Sequence, residues 1–373
     1  MWHRKMLIAA FFLILLAIPV IAFLPLWESG GRYPANALSP KPEALISGEY
    51  MEQLDAFLAE RLPFRESMAE ARARLALLEG RREINGVFVG PERLMENLPE
   101  PSEEYTRQAV SLLNAFAGSR RNQEVLLMLV PTAAEIYPED LPPFAQSFDQ
   151  VRYIQSFYRE LPGITCVDAY TPLSTGRSGP VFYRTDHCWT SYGAYQGYSA
   201  LAKSLGYRAA SWDLFNIEHA AHDYQGDLCR RTRLGDGLQD TVDLYTYAYS
   251  GVVEDVIRDN GKNTVTYPTI FFREELDSEN KCQVFLGSEP GVFHIRTNLD
   301  NGKRLLLFKD SLAEPLMQFL PLHYEEITLV DLWSFHGRLE DYLNVFRYQQ
   351  VLFLLDMTSL SKEVPFSAIC MEE

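Results

Sequence analysis

Cysteine is scarce and scattered in this chain. Cys166, Cys188, Cys229, Cys282 and Cys370 form no C-x-x-C pair and no finger-type spacing, which argues against a structural zinc site. In an oxidising compartment their odd number leaves at least one thiol over, and sequence alone does not pair the others. Basic residues are also in deficit, 34 Lys and Arg against 50 Asp and Glu, for a formal charge of -16. No basic surface is available to neutralise phosphates, so nucleic acid is excluded as a partner. Internal repeats, low-complexity tracts and heptads are missing, and Gly and Pro are at ordinary levels. With 47% hydrophobic residues, the chain has the material for a full globular core.

One long apolar run is present. Leu7 to Trp27 carries no charge and is preceded by His3, Arg4 and Lys5. About 20 helical residues rise roughly 30 Å, the thickness of a bilayer core, and the basic flank favours a cytoplasmic N-terminus. A cleaved signal peptide is the competing reading. Its apolar segment is shorter, and the nearest small-x-small triplet, Ala35-Asn36-Ala37, lies well past this run. Residues 1–27 are therefore expected to be a cytoplasmic stub and transmembrane anchor, 28–48 a Gly- and Pro-containing linker, and 49–373 an extracytoplasmic domain at the cell membrane.

From Tyr50 to about Arg82 apolar residues recur at helical spacing with a break at Pro63, which predicts two helices. Asn85-Gly86 predicts a turn followed by a short strand. Glu124–Val130, Gly163–Val167, Arg304–Phe308, Ile327–Val330 and Val351–Leu355 are short apolar runs, suited to strands covered on both faces. Helical stretches lie between them at Asp149–Glu160, Thr190–Leu205, Leu312–Leu320 and Arg338–Tyr348. The alternation predicts an α/β fold with a mostly parallel sheet flanked by helices. Residues 208–300 break the rhythm with Tyr-, Thr- and Val-rich segments and predict a β-rich insertion.

Two segments at predicted strand and helix ends have chemical potential. Lys309-Asp310-Ser311 follows an apolar strand and precedes a helix, so it serves either as a helix cap or as a serine nucleophile beside helix-opening amides. Thr185-Asp186-His187-Cys188-Trp189-Thr190 enters another helix, and its acid and imidazole serve either as cap and surface histidine or as the orienting acid and general base a hydroxyl requires. Trp189 is a candidate pocket wall or a packing residue. His294, His323 and His336 lie near the sheet in sequence, and His336 is a further candidate partner for Ser311. A metal on Asp186, His187 and Cys188 is not expected, since three consecutive residues of a regular backbone do not face one ion.

The run TDHCWTSYGAYQGYSALAKSLG, with the segment from Lys281 to Phe335 that contains LLLFKDSLAEP, resembles the DHHW protein family, named for an Asp-His-His-Trp tetrapeptide. LPFRESM and NGVFVGPERLME resemble that family's lead-in, so the likeness spans roughly residues 50–356. The family is related to periplasmic alginate O-acetyltransferases, whose Asp-x-His and Ser motifs form a triad on an SGNH-hydrolase-like fold. By resemblance Ser311 takes the nucleophile position and Asp186 that of the acid, with Cys188, Trp189, Asp310 and Ser288 around the substrate. No cofactor and no metal are implied.

The sequence departs from the family at three places. The base position holds Cys188 instead of His, leaving His187 as the substitute base if it turns inward. Gly287-Ser288-Glu289 replaces a Gly-Gly-Asn-like turn, placing a carboxylate near a developing oxyanion. Trp333 stands where relatives tend to carry Arg. The expected function is O-acyl transfer to, or ester hydrolysis on, a cell-surface glycan. The alternative is a catalytically degenerate relative that binds glycan or protein during envelope polymer assembly.

Overall fold

The computed structural model describes residues 65–369 except 236, 250 and 336–338, together with residues 6, 12 and 13. The apolar run at 7–27, the linker at 28–48, the first predicted helix, His336 and Cys370 lie outside the described residues. Among the described residues, no helix is long and apolar enough to cross a membrane. The chain divides into two units, Met1–Glu79 and Gly80–Glu373. In the first, Arg65–Leu78 forms helix α1, the second of the two helices predicted around Pro63.

In the second unit the strands are β1 (Glu83–Ile84), β2 (Val87–Val89), β3 (Leu94–Glu96), β4 (Glu124–Val130), β5 (Thr165–Asp168), β6 (Phe215–Tyr224), β7 (Asp240–Tyr247), β8 (Val253–Asp259), β9 (Thr264–Tyr267), β10 (Val292–Thr297), β11 (Arg304–Lys309), β12 (Glu326–Asp331) and β13 (Gln350–Asp356). Eight of them form a central sheet in the order β5-β4-β13-β11-β12-β10-β8-β9. The first five run parallel, whereas β10, β8 and β9 extend the sheet antiparallel. The fold is thus mixed α/β. The stretch 208–300 divides its strands: β6 and β7 pair as a separate ribbon, while β8 to β10 join the main sheet.

The apolar runs are continuous because both faces of the sheet are covered. Leu126, Met128, Val130, Leu305, Leu307, Leu352 and Leu354 enter one core, and their alternates Val125, Leu127, Leu129, Leu306, Phe308, Val351 and Phe353 enter the other. Helix α2 (Glu103–Gly118), capped by Ser102, covers the second core with Ala109, Leu113 and Phe116. Helix α3 (Gln150–Arg159) adds Tyr153, Ile154 and Phe157 to that layer. Helix α4 (Ser191–Ser204) covers the first core with Ala194, Tyr198 and Leu201.

Two expected helices take other forms. Ser311–Gln318 is a 3-10 helix, and Pro315 inside it has no N–H for an α-helical ladder. The stretch 338–348 contains only a four-residue helical turn, Leu339–Tyr342, and a 3-10 turn at Val345–Arg347 that the Asn344 side chain caps. At Asn85-Gly86 both residues have positive φ (52° and 71°), and Ile84 pairs with Val87 across this two-residue hairpin turn.

Candidate active site

β11 and β13 are adjacent and parallel, in register from Leu305↔Gln350 to Lys309↔Leu354, so both end at the same edge of the sheet. At that edge Asp310 is buried. Its carboxyl group accepts from the Leu312 amide (3.1 Å), capping the 3-10 helix, and from the Asp356 amide at the end of β13 (2.8 Å). Burial, with Asp356 nearby, pushes its pKa well above the carboxylate range. Ser311, the next residue, is exposed, and its hydroxyl and amide make no hydrogen bond among the described residues. Of the amides opening this helix, that of Leu312 is taken by the Asp310 carboxyl group and that of Ala313 by the Asp310 carbonyl, while that of Ser311 has no partner among the described residues.

The second segment is a closed loop. Phe182 bridges to Trp189, and the Tyr183 amide donates to the Cys188 carbonyl (3.2 Å), so residues 183–188 bend back on themselves. Asp240, opening β7, holds the loop by accepting from the Arg184 amide, the Thr185 amide and the Thr185 hydroxyl. The Thr185 carbonyl in turn accepts from the Leu228 and Cys229 amides of the short helix α5 (Asp227–Thr232).

Asp186 is 3% exposed and fully engaged. Oδ1 accepts from the Cys188 amide (3.0 Å) and lies 3.1 Å from His187 Nδ1, while Oδ2 accepts from the Tyr224 hydroxyl (2.7 Å) and the Asp227 amide (2.8 Å). Burial favours the neutral acid, but His187 and these donors outweigh it and hold the pKa below the usual carboxylate range. Gly226 lies so close that any Cβ there would overlap the Asp186 side chain.

His187 keeps a quarter of its side chain exposed. Its Nε2 lies 3.6 Å from Cys188 Sγ. Burial opposes the charged imidazolium, yet the adjacent Cys188 and Asp186 hold its pKa well above 6.5. Cys188 is buried, and this pushes its thiol up to about 12 despite His187. The alternation of an extended strand does not apply in this bend, so all three side chains converge, with one ligand atom from each within 4.8 Å of the others. The cluster offers three ligand atoms, one fewer than the four a structural zinc takes.

Asp356, whose amide bonds Asp310, is near enough for its charge to act on Cys188. Glu96, buried between Arg231 and Thr358, is near enough for His187 to help hold its carboxylate ionised against the burial that opposes it. Asp186, His187 and Cys188 thus converge in one bend, while Asp310 and Ser311 follow β11 at the edge where β13 also ends.

The remaining candidates are placed elsewhere. Trp189 is wholly buried, its ring filling the space a side chain would take at Gly197, where a Cβ would stand 2.8 Å away. Ser288 donates to Glu275 (2.9 Å), and Glu289 pairs with Arg258 (3.1 Å). Trp333 bonds Asp331 through its amide, and Asp331 also takes the buried Lys309 ammonium. His294 contacts Thr328, and His323 stacks on Tyr207 while its Nε2 shares a hydrogen bond with the Tyr198 hydroxyl. The four described cysteines are all free thiols. Sequence reasoning missed Tyr224, Gly226 and Asp240, which lie in the β-rich stretch and carry no local mark of their contact with residues 185–186.

The DHHW protein family profile matches residues 100–330, more than half of the chain. The chain belongs to the DHHW protein family. In fold this DHHW protein is similar to a DHHW family protein from Eubacterium siraeum (TM-score 0.69, 20% identity, covering 78% of this chain and 98% of that one). It is also similar to Bacillus cereus PatB1 (TM-score 0.60, 16% identity, 74% and 96% covered) and to PatB1 with a sulfonyl adduct (TM-score 0.61, 16% identity, 74% and 95% covered). No curated protein sequence matches significantly.

Proposed function

We propose that this DHHW protein is a membrane-anchored, extracytoplasmic, SGNH-like O-acyltransferase or esterase acting on a cell-surface glycan. In this reading the Ser311 hydroxyl attacks an acyl ester, His187 takes its proton, Asp186 orients the imidazole, and the acyl group passes to a sugar hydroxyl or to water. The observation that carries the reading is the Asp186–His187 pair, with Nδ1 3.1 Å from Oδ1, and the exposed Ser311 that follows β11 supports it. Membership of the family supports it, as does the uncharged apolar segment behind a basic N-terminus, which suits an anchor. A fold relative, PatB1, has been solved with a sulfonyl adduct, which makes a sulfonyl fluoride the natural probe.

The test is modification by phenylmethanesulfonyl fluoride, with the adduct located by peptide mass spectrometry. A sulfonylated Ser311 in the wild type, with the label absent and acetyl-ester turnover reduced in Ser311→Ala, is the expected result. An unlabelled Ser311 and unchanged turnover in the variant would remove the serine from the mechanism.

One observation favours a second reading, a degenerate relative that binds glycan through the same edge. Cys188 holds the base position, and the Ser311 hydroxyl has no partner among the described residues. Replacing Cys188 by His separates the two. Turnover that appears only in Cys188→His identifies a silenced site, whereas turnover already present in the wild type supports the enzyme.

A further inference from the structure

The imidazole of this site has a second candidate nucleophile beside it, the thiol of Cys188. His187 Nδ1 is turned to Asp186 Oδ1 at 3.1 Å, so Nε2 is the nitrogen left to accept a proton, and Nε2 faces Cys188 Sγ at 3.6 Å. The order acid, imidazole, nucleophile is the arrangement that activates a thiol or hydroxyl, here compressed into three consecutive residues. Each member is fixed independently: Asp186 by Tyr224 and the Asp227 amide, and the Cys188 backbone by its amide on Asp186 and its carbonyl under the Tyr183 amide. The Ser311 hydroxyl, by contrast, has no hydrogen bond among the described residues.

We propose that Cys188 is a thiol nucleophile of this site, served by His187 and Asp186, and that it carries the acyl group as a thioester. The substrate is an acyl ester of an alcohol, the same class as in the proposed function, on which this inference rests for its reaction type. Sγ attacks the ester carbonyl carbon while the thiol proton passes to His187 Nε2. The carbon–oxygen bond to the alcohol breaks, and the proton on Nε2 goes to the departing oxygen. Thioester and free alcohol are the products of this half-reaction. In the second half an acceptor hydroxyl, from sugar or water, attacks the thioester carbonyl. Its proton passes through Nε2 to the leaving sulfur, which restores the thiol. A buried neutral thiol needs such an adjacent base, since its own ionisation is suppressed. The quarter-exposed imidazole marks the side from which the ester approaches.

The experiment uses the full chain in detergent with p-nitrophenyl acetate, acid quenching and peptide mass mapping, in wild type, Ser311→Ala, Cys188→Ala and Cys188→Ser. The expected result is an acetyl group on the Cys188 peptide of Ser311→Ala, released by neutral hydroxylamine as a thioester is. Adding Cys188→Ala to Ser311→Ala should then slow p-nitrophenolate release by roughly a hundredfold. Cys188→Ser, which keeps the shape of the site, should trap a hydroxylamine-resistant ester at 188, so loss of fold in the alanine variant does not decide the matter. Acetyl found on Ser311 alone, with Cys188→Ala acetylated as fast as wild type, overturns the thiol but leaves the proposed function standing. Absence of any acetyl adduct and any ester turnover in the wild type overturns both.

Discussion

The loop around Asp186 and the turn around Ser311 are built on opposite plans. In the loop the functional carboxylate has four contacts at hydrogen-bond distance, drawn from its own bend, from β6 and from α5, so position is fixed before any substrate arrives. In the turn the buried, bonded group is the neighbour, Asp310, and the candidate nucleophile is left outside its network. The contrast indicates that the fold invests its polar contacts in orienting the acid and the imidazole. The hydroxyl is presented by strand register alone.

The largest effect that would break this contrast comes from Asp186→Ala. It strands the Cys188 and Asp227 amides, leaves the Tyr224 hydroxyl only its longer bond to Asn280 and removes the counter-charge of His187, and should cost about 3 kcal/mol in urea denaturation. A loss below the usual scatter of surface mutations would show the loop to be less determined than its bonds suggest. Gly226→Ala should follow at about 2 kcal/mol, because a methyl group there overlaps the Asp186 side chain and forces the backbone apart. Asp310→Ala removes the cap on Leu312 and leaves the buried Asp356 amide without its acceptor, and should cost about 2 kcal/mol. Ser311→Ala is at the other end of the scale. Its hydroxyl is exposed and unpartnered among the described residues, so stability should stay within about 0.5 kcal/mol while labelling by the sulfonyl fluoride disappears.

The acid–imidazole pair also predicts a pH signature. His187 is held above its ordinary value of 6.5, so its stabilisation is complete below that pH and is lost as pH rises through the raised folded value. Asp186 is held below its ordinary 3.8, so its stabilisation is present above that pH and is lost as pH falls through the lowered folded value. The pair therefore stabilises fully between 3.8 and 6.5, and Tm should decline on the alkaline side in the wild type. His187→Gln should flatten that decline. Since a base must be deprotonated, ester turnover should rise with pH through the raised His187 value, and a rise centred at or below 6.5 would contradict the pairing.

The parallel strands were legible because their cause is local. Glu124–Val130 is bounded by a charged residue and Pro131, and its unbroken apolar run reports burial on both faces. The pairing of β8 to β10 with the main sheet was not legible, because nothing within those segments names β12 as a neighbour. Helix α2 was overlooked although Ser102 caps it, since its apolar residues are diluted by polar ones. Asp186, His187 and Ser311 stand out as candidates from motif and resemblance alone. The turn of His187 toward Cys188 was not, because an extended segment would separate their side chains, and only the bend closed by Tyr183 and Cys188 brings them together.

The grip of β6 and α5 on Asp186 means that the four-letter signature is not a portable cassette. Its geometry depends on partners 38 and 41 residues downstream, where a hydroxyl and a backbone amide complete it. Grafting Asp-His-Cys-Trp into another scaffold would transfer the letters without their meaning, and shortening the ribbon of β6 and β7 would disable the motif without touching it.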